Sequence, residues 1–286
     1  MKTNKLINEI TKGIWLMNIH QLDAYLPIVK NVLKGKMVFP EGKADPVSFM
    51  YAGNTEEPTP LKADDSDTAQ QIALINMIGP IMKYGDMCTY GADEISAALH
   101  HANNDDKVKG IVMYIDGPGG STSAISPFET FAEEKKKPLV VLADSCYSLH
   151  YWTACVVADH IMADNNISSG FGSVGVLASF MDARGYYEKK GAKVHEIYSD
   201  HSEHKNEAFR LALEGKYDKI KQSDLNPIAL KFQKAVRAAR PNLKEEKGVL
   251  SGATFYADEA LRLGMIDSIG NLKLAIQLVN ALAEFK

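Results

Sequence analysis

The chain has few cysteines and no long apolar run, and these absences exclude several classes of protein. Its 286 residues include three cysteines, Cys88, Cys146 and Cys155, which are too few and too scattered for a disulfide framework or a zinc site. No apolar stretch approaches the roughly 18 residues of a transmembrane helix. The first segment is interrupted by Glu9 and Lys12, unlike a secretory signal. We therefore expect no integral membrane segment, no metal and no cofactor, and a cytoplasmic protein.

An excess of positive charge is also missing. The chain has 32 basic and 36 acidic side chains, a net charge of −4, which argues against nucleic acid as a partner. Hydrophobic residues make up 45% and charged residues 24%, the balance of an ordinary globular protein. We found no internal repeat. The length suits one large α/β domain with an appendage.

Three regions differ in character. Residues 1–36 are predicted to form a helical, mildly basic N-terminal extension. Residues 37–70 contain four prolines and an excess of acidic residues, which predicts a loosely ordered acidic linker. From residue 71 to residue 286 the pattern of a folded α/β domain continues without interruption.

Predicted strands and helices alternate within this domain, which indicates parallel strands joined by crossover helices. The predicted strands are 72–78, 110–115, 138–143, 160–163 and 194–198. The predicted helices are 92–103, 121–135, 148–157, a long polar region at about 206–239, 255–263 and 272–282.

The segment 111–120, Ile-Val-Met-Tyr-Ile-Asp-Gly-Pro-Gly-Gly, is the most informative part of the chain. Its apolar half predicts a strand buried on both faces, and its glycines predict a tight turn before a helix. Adjacent glycines allow backbone N–H groups to approach a ligand closely, so that such a turn can stabilise an oxyanion or a phosphate. A turn that only reverses the chain explains the same residues equally well.

Three further polar segments follow the glycine turn. Ser148 stands where a strand ends and an apolar helix begins, so its hydroxyl is either reactive near a helix N-terminus or an ordinary N-cap. A glycine turn at 170–176 precedes a strand. A polar run at 199–206 follows the predicted strand 194–198.

Taken together, these segments resemble the signal peptide peptidase A family of serine peptidases, including the phage head-maturation proteases of the protein C type. That family has Asp-Ser-Pro-Gly-Gly where residues 116–120 read Asp-Gly-Pro-Gly-Gly. Its nucleophile motif Ser-x-x-Tyr-Tyr/Trp matches residues 148–152, and its Gly-Ser-Ile/Leu-Gly-Val is similar to 172–176. Its His-Lys-Asp/Asn matches 204–206, and its closing Ser-Gly…Ala…Gly-hydrophobic-Asp pattern matches 251–267. The resemblance covers residues 71–286.

The resemblance implies a Clp/crotonase-like fold of ββα units and a catalytic Ser–Lys dyad. Ser148 would be the nucleophile and Lys205 the general base, with the Ser173 hydroxyl orienting the lysine amine. The backbone N–H groups of Gly120 and Leu149 would form the oxyanion hole. A lysine acts as a base near neutral pH only when desolvation or a positive neighbour lowers its pKa. Since the surroundings of Lys205 are polar, that burial has to come from the fold or from a neighbouring subunit.

Several positions depart from the family pattern. Leu149 and His150 are larger than the residues that usually follow the nucleophile, and Gly117 replaces a serine. The spacing from the nucleophile to the next strand is one residue longer than usual, which leaves Ser145 as a second candidate nucleophile. His150 itself is expected to point away from Ser148 on the helix.

The polar run at 199–206 also permits a different interpretation. His201 and His204 lie among acidic residues and could be read as metal ligands, but a solvated charged loop is the expectation.

The expected activity is that of a serine endopeptidase that cleaves extended polypeptide segments. It would work as a homo-oligomer, in the cytoplasm or in a phage procapsid, with capsid or scaffold proteins as substrates. A substrate strand could pair with the backbone beside Gly119 and Gly120. Two alternatives stay open: a crotonase-like acyl-CoA enzyme, and a catalytically degenerate homologue that serves as an assembly or scaffold protein.

Overall fold

The computed structural model describes residues 14–17, 47–51, 70–85, 89–180 and 182–285. Within these ranges, no helix combines the length and the apolar character that crossing a membrane requires.

The strands within these ranges form two sheets. In chain order they are β1 (Ile14–Met17), β2 (Val47–Tyr51), β3 (Gln71–Ile78), β4 (Val108–Gly117), β5 (Gly119–Ser121), β6 (Leu139–Tyr147), β7 (His160–Ala163), β8 (Gly170–Gly172), β9 (Leu177–Ala178), β10 (Thr254–Tyr256) and β11 (Ser268–Ile269). The larger sheet has the order β2-β3-β4-β6-β8-β10. In addition, β7 pairs with the first half of β6, and β11 pairs with β7. The smaller sheet has the order β5-β1-β9.

The centre of the larger sheet is parallel. β3, β4 and β6 run parallel to one another, and β6 continues in parallel register with β7 through residues 140–143 and with β8 through 145–147. β2 and β10 are antiparallel to their neighbours. The fold class is therefore the predicted α/β class, and in residues 108–134 a long strand leads through a short strand to a helix, as expected of a ββα unit.

The helices lie between these strands along the chain. They are α1 (Ala92–Asn104), α2 (Ser126–Glu134), α3 (Leu149–Val157), α4 (Arg184–Glu188), α5 (Glu207–Leu213), α6 (Asp218–Ile220), α7 (Asn226–Ala239), α8 (Ala257–Arg262) and α9 (Leu272–Glu284), with a 3-10 turn at Thr122–Ala124 and a π-helical turn at Lys221–Leu225.

Both faces of the parallel sheet are covered. Alternate strand residues such as Ala73, Ile111 and Val141 pack in one cluster with α1, α2, α3 and α7. The intervening residues, such as Val112 and Val140, pack in a second cluster against α9. Burial on both faces explains why the strands read as continuous apolar runs.

The N-terminal predictions were wrong wherever the structure describes this region. Ile14–Met17, predicted as part of a helix over 1–36, is a strand that obtains backbone partners from both β5 and β9. Val47–Tyr51, predicted as linker, is a strand antiparallel to β3. Tertiary pairing overrides local propensity in the first case, and β-branched and aromatic residues favour the strand in the second. The rest of residues 1–69 lies outside the described residues.

Three later predictions were also inaccurate. The predicted strand 194–198 forms no strand and has no ladder partner among the described residues. The long helix at 206–239 is broken after Leu213, where Gly215 takes a left-handed conformation (φ 78°). The helix predicted from residue 121 begins at Ser126, because Gly119–Ser121 forms β5 instead.

Candidate active site

Ser148 joins strand β6 to helix α3 in a conformation that serine rarely adopts. Its φ is 56° and its ψ −114°, a combination that costs a non-glycine residue roughly 1–3 kcal/mol. Two backbone hydrogen bonds hold it: the Ser148 N–H donates to the Gly172 carbonyl (2.8 Å), and the Trp152 N–H donates to the Ser148 carbonyl (2.9 Å). The sharp turn lets the chain pass directly from a buried strand into a buried helix.

The Ser148 hydroxyl has no hydrogen-bonding role in the part of the fold that the structure describes. It does not cap α3, and it makes no hydrogen bond with any residue that the structure describes. The residue is 1% exposed. The N-cap interpretation of this serine is therefore wrong.

Backbone strain is concentrated at the residues that the sequence singled out. Among the described residues, the non-glycine residues with positive φ are Ser148, Ser173 (φ 54°) and Asn206 (φ 55°). Two of these are predicted site residues, and the third directly follows Lys205. Such conformations persist only where the surrounding structure enforces them, and they gather at functional sites.

Backbone hydrogen bonds join the later motifs to Ser148. Gly172, whose carbonyl accepts from Ser148, lies opposite Tyr147 in the pairing of β6 with β8. The next residue, Ser173, donates its N–H to the Ala253 carbonyl (2.8 Å). The segment 251–253 of the closing motif thus supports the turn that supports Ser148, which brings Ser173 next to the candidate nucleophile in the fold.

The two aromatic residues of the 148–152 motif anchor α3 rather than face the site. The Tyr151 hydroxyl donates to the Met265 carbonyl (2.8 Å). The Trp152 ring stacks on Phe232 of α7, with 4.7 Å between ring centroids. Both contacts fix the axis of the helix whose first residue is Leu149, so the N–H group of Leu149 has a defined direction.

The glycine turn ends in a strand and not at a helix. Gly119 has φ 117°, and a Cβ on Gly120 would overlap the carbonyl oxygen of Ile81. Ile81 borders this segment because its N–H donates to the Gly119 carbonyl (3.1 Å) and its carbonyl accepts from the Ser121 N–H (3.0 Å). Backbone groups alternate in direction along a strand, so the Gly120 N–H points away from Ile81.

Gly117 and His150, two departures from the family pattern, are in contact with each other. A Cβ on Gly117 would overlap His150 Nε2 and would lie 2.5 Å from the Gly79 carbonyl oxygen. The His150 ring is fully buried and fills the space that a side chain at position 117 needs. The glycine is therefore the steric counterpart of the large residue after Leu149.

His150 is a poor candidate for a general base. Burial lowers the pKa of His150 to about 3, with a smaller opposing effect from the Gly79 carbonyl, so the ring is neutral at neutral pH. Neither ring nitrogen has a hydrogen-bond partner of good geometry among the described residues. Cys146 and Cys155 are also buried, and burial raises the pKa of each thiol, which makes both of them inert.

No hydrogen bond joins the Lys205 amine to Ser148 in the described part of the chain. Lys205 is exposed, and its N–H closes a turn onto the Ser202 carbonyl (3.0 Å). Its amine has no hydrogen bond or ion pair with the described residues. The neighbouring His204 pairs at the surface with Glu203 and Glu207, and among the described residues no group of three ligand-type side chains could hold a metal ion.

Ser145 differs clearly from Ser148. It lies within β6, in register with Gly170 of β8, and its backbone is ordinary strand. A serine inside a regular strand is neither at a helix N-terminus nor in a strained turn.

The comparison with known families agrees with these features. The profile of peptidase family S49 matches residues 131–286, from the end of α2 to the end of the chain. The chain belongs to peptidase family S49. Its match includes Ser148, Ser173, Lys205 and the closing motif, whereas the glycine turn and β1 lie before it.

The chain is also similar to individual proteins. Protease 4 of Haemophilus influenzae is 26% identical over 250 residues, which cover 84% of this chain and 39% of that protein. The head-tail preconnector protein GP5 of Enterobacteria phage P21 is 24% identical over 223 residues, which cover 72% and 40%. The chain thus spans about two fifths of the length of these relatives. Among solved structures, a membrane-bound stomatin-specific protease is similar with a TM-score of 0.45 and 13% identity, covering 69% of this chain and 78% of that one.

Sequence reasoning missed two elements beside the site. Ile81, whose backbone fixes the direction of the Gly120 amide, belongs to an irregular segment with no motif of its own. β1 lies along β5 although it is about 100 residues earlier in the chain. Only the apolar character of Ile14, Trp15 and Met17 signalled it, and that pattern fits a helix equally well.

The contact between Gly117 and His150 predicts that substitutions at these positions are coupled. Gly117→Ser should destabilise the wild-type protein by about 3 kcal/mol through overpacking, and clearly less in a His150→Ala background. The Gly79 carbonyl also lies close to a side chain at position 117, so part of the destabilisation persists when His150 is replaced by alanine. The measurement is urea unfolding of the two single variants and the double variant, with an expected coupling free energy of about 1–2 kcal/mol. Strictly additive effects would show that the two side-chain positions do not compete for space.

Proposed function

We propose that the chain is a serine endopeptidase in which Ser148 is the nucleophile. The observation that carries this proposal is the backbone of Ser148, strained at a strand-to-helix junction, together with a hydroxyl that neither caps the helix nor bonds elsewhere in the described chain. A structural serine would use its hydroxyl locally. Family S49 supplies the reaction class, since its members are peptidases.

Two backbone amides are suited to stabilise the oxyanion. The Leu149 N–H belongs to the first turn of α3, where helix N–H groups have no intrahelical acceptor. The Gly120 N–H points away from Ile81, because Ile81 bonds to the neighbouring Gly119 and Ser121. Donors aimed at the developing negative charge of a tetrahedral intermediate contribute about 3–4 kcal/mol each in serine peptidases.

Lys205 is the proposed general base, with Ser173 orienting its amine. In the isolated chain Lys205 is exposed, whereas a lysine works as a general base only where its surroundings exclude water. Lys205 therefore becomes a base only when the protein associates. In the associated protein a neighbouring copy would exclude water from Lys205 and hold it beside Ser148.

An exposed segment before Lys205 is suited to that association. Residues 192–199 run without helix or strand partners among the described residues. Within them Val194 is 49% and Ile197 is 93% exposed. Apolar side chains on an unpaired segment are typical of a surface that a protein partner covers. We assign a second copy as that partner, because the same segment leads to the residue that needs desolvation.

The proposed substrates are extended polypeptide segments of other proteins. The similarity to a phage head-tail preconnector protein favours capsid or scaffold proteins as the class, and a cytoplasmic or procapsid location. The competing proposal of an inactive assembly protein makes the opposite prediction for each of the following experiments.

Ser148→Ala should abolish peptide hydrolysis and leave the fold intact, because the change removes one hydroxyl that bonds to no described residue. The measurement is turnover of a fluorogenic peptide, with circular dichroism as the check on folding. Ser145→Ala is the matched control and should retain wild-type turnover. Activity that survives in Ser148→Ala and is lost in Ser145→Ala would move the nucleophile to position 145.

Hydrolysis should increase with pH, because only the neutral amine of Lys205 accepts the serine proton. Lys205→Met should reduce turnover by orders of magnitude, and Lys205→Arg should not restore it, since a guanidinium stays protonated. The measurement is a pH–rate profile for each variant, with Lys273→Met, at an exposed lysine of α9, as control. A Lys205→Met enzyme with the wild-type rate and profile would contradict the assignment of the base.

Ile197→Asp should weaken self-association and lower specific activity together, because it introduces a charge at the proposed interface. Ile167→Asp, at an isoleucine that is 85% exposed elsewhere on the surface, is the matched control and should change neither. Light scattering and activity over a dilution series measure both properties. A wild-type monomer with undiminished activity at all concentrations would refute the need for a second copy.

A further inference from the structure

β1 occupies the gap between β5 and β9, where we expect an extended substrate segment to bind. It is the middle strand of the smaller sheet and runs antiparallel to both β5 and β9. Among the described residues, β9 has no other strand partner, and β5 has only the bridge to Ile81 on its opposite side. Without β1, both strands would present unpaired backbone groups across a gap one strand wide. Such edges bind an extended peptide.

The register aligns one peptide group of β1 with the proposed oxyanion donor. Leu16 is paired with Gly120, between Trp15 opposite Ser121 and Met17 opposite Gly119. The other side of Gly119–Ser121 is taken by Ile81, which bonds to the Gly119 carbonyl and the Ser121 N–H. By strand alternation the N–H and carbonyl of Gly120 therefore face Leu16. A carbonyl opposite the Gly120 amide is where a peptidase would hold the carbonyl that it attacks.

The direction of β1 also fits an acyl-side substrate segment. Ile14 and Trp15 are paired with Ala178 and Leu177 of β9, which holds the strand on its second edge. From there the chain runs toward Gly119 and the end of the glycine turn. Trp15, which precedes the aligned Leu16 carbonyl, is thus paired with both β5 and β9. The Leu16–Met17 peptide bond lies beyond the last residue of β1 that is paired with β9.

From this arrangement we infer that the chain is its own first substrate and is cut between Leu16 and Met17. The inference rests on the proposed function of Ser148. Ser148 Oγ bonds to the Leu16 carbonyl carbon as its proton passes to Lys205. The Leu16–Met17 C–N bond breaks, and the Met17 nitrogen leaves as an amine with that proton. Water then hydrolyses the Leu16 ester, which releases the Leu16 carboxylate and restores the serine hydroxyl.

Self-cleavage has a consequence for access to the site. As long as β1 is covalently continuous with the residues after Met17, it is held beside β5 at a high effective concentration. After the cut, the segment ending at Leu16 is an ordinary peptide and can dissociate, so that the gap between β5 and β9 accepts other polypeptides.

The test is the intact mass of purified full-length protein followed over time, together with sequencing of the new N-terminus. Wild-type protein should lose the residues up to Leu16 and begin at Met17, and Ser148→Ala should stay intact. Met17→Pro should also stay uncut, because the nitrogen that has to leave would then be part of the proline ring. It leaves the Leu16–Gly120 pairing in place, since the Met17 amide faces away from β5. Met17→Leu is the matched control and should be cut like the wild type.

Hydrolysis of a separate peptide, measured on the same samples, distinguishes failure of this inference from failure of the proposed function. Wild-type protein that hydrolyses the peptide but keeps residues 1–17, or is cut only at another bond, overturns the self-cleavage at Leu16. A cut that persists in Ser148→Ala overturns it as well. Absence of both peptide hydrolysis and self-cleavage in the associated protein overturns the inference together with the function on which it rests.

Discussion

The site depends on the hydrogen bond from the Ser148 N–H to the Gly172 carbonyl. It holds serine at a positive φ at the end of β6, a conformation that persists only where surrounding contacts enforce it. The carbonyl of Gly172 is in position because the next residue, Ser173, is bonded to Ala253. Segments more than 100 residues apart in the chain thus fix the backbone of one residue, and three of the five short motifs meet there.

Much of the central fold could be predicted from local pattern. β3, β4, β6 and β7 are apolar runs bounded by glycine, proline or acidic residues, and their cores agree with the predicted ranges to within a few residues. Burial on both faces of a parallel sheet leaves this strong signal. The site residues were found by motif order, and their roles remain a proposal. Nothing local distinguishes Ser148 from an N-cap, because the difference lies in its φ and in a hydrogen bond to a distant turn.

The errors have a common physical origin. Ile14–Met17 forms a strand only because β5 and β9 offer backbone partners, and these are set by residues far along the chain. Residues 194–198 have strand-like composition but no partner among the described residues. Gly117 and His150 are matched in size, because the His150 ring fills the space beside Gly117. In the sequence they were visible only as two separate departures from the family pattern. Each case is decided by a tertiary contact, which periodicity does not report.

The central claim is that Ser148 is a nucleophile aligned with two oxyanion donors. It is tested most directly by a peptidyl fluorophosphonate, which forms a stable bond only with an activated serine, followed by mass spectrometry of the digested protein. The account predicts one adduct, on Ser148, with the yield increasing as pH is raised and no adduct in Ser148→Ala. An adduct on Ser145 or another serine, or no adduct in the associated wild-type protein at any pH, would contradict it.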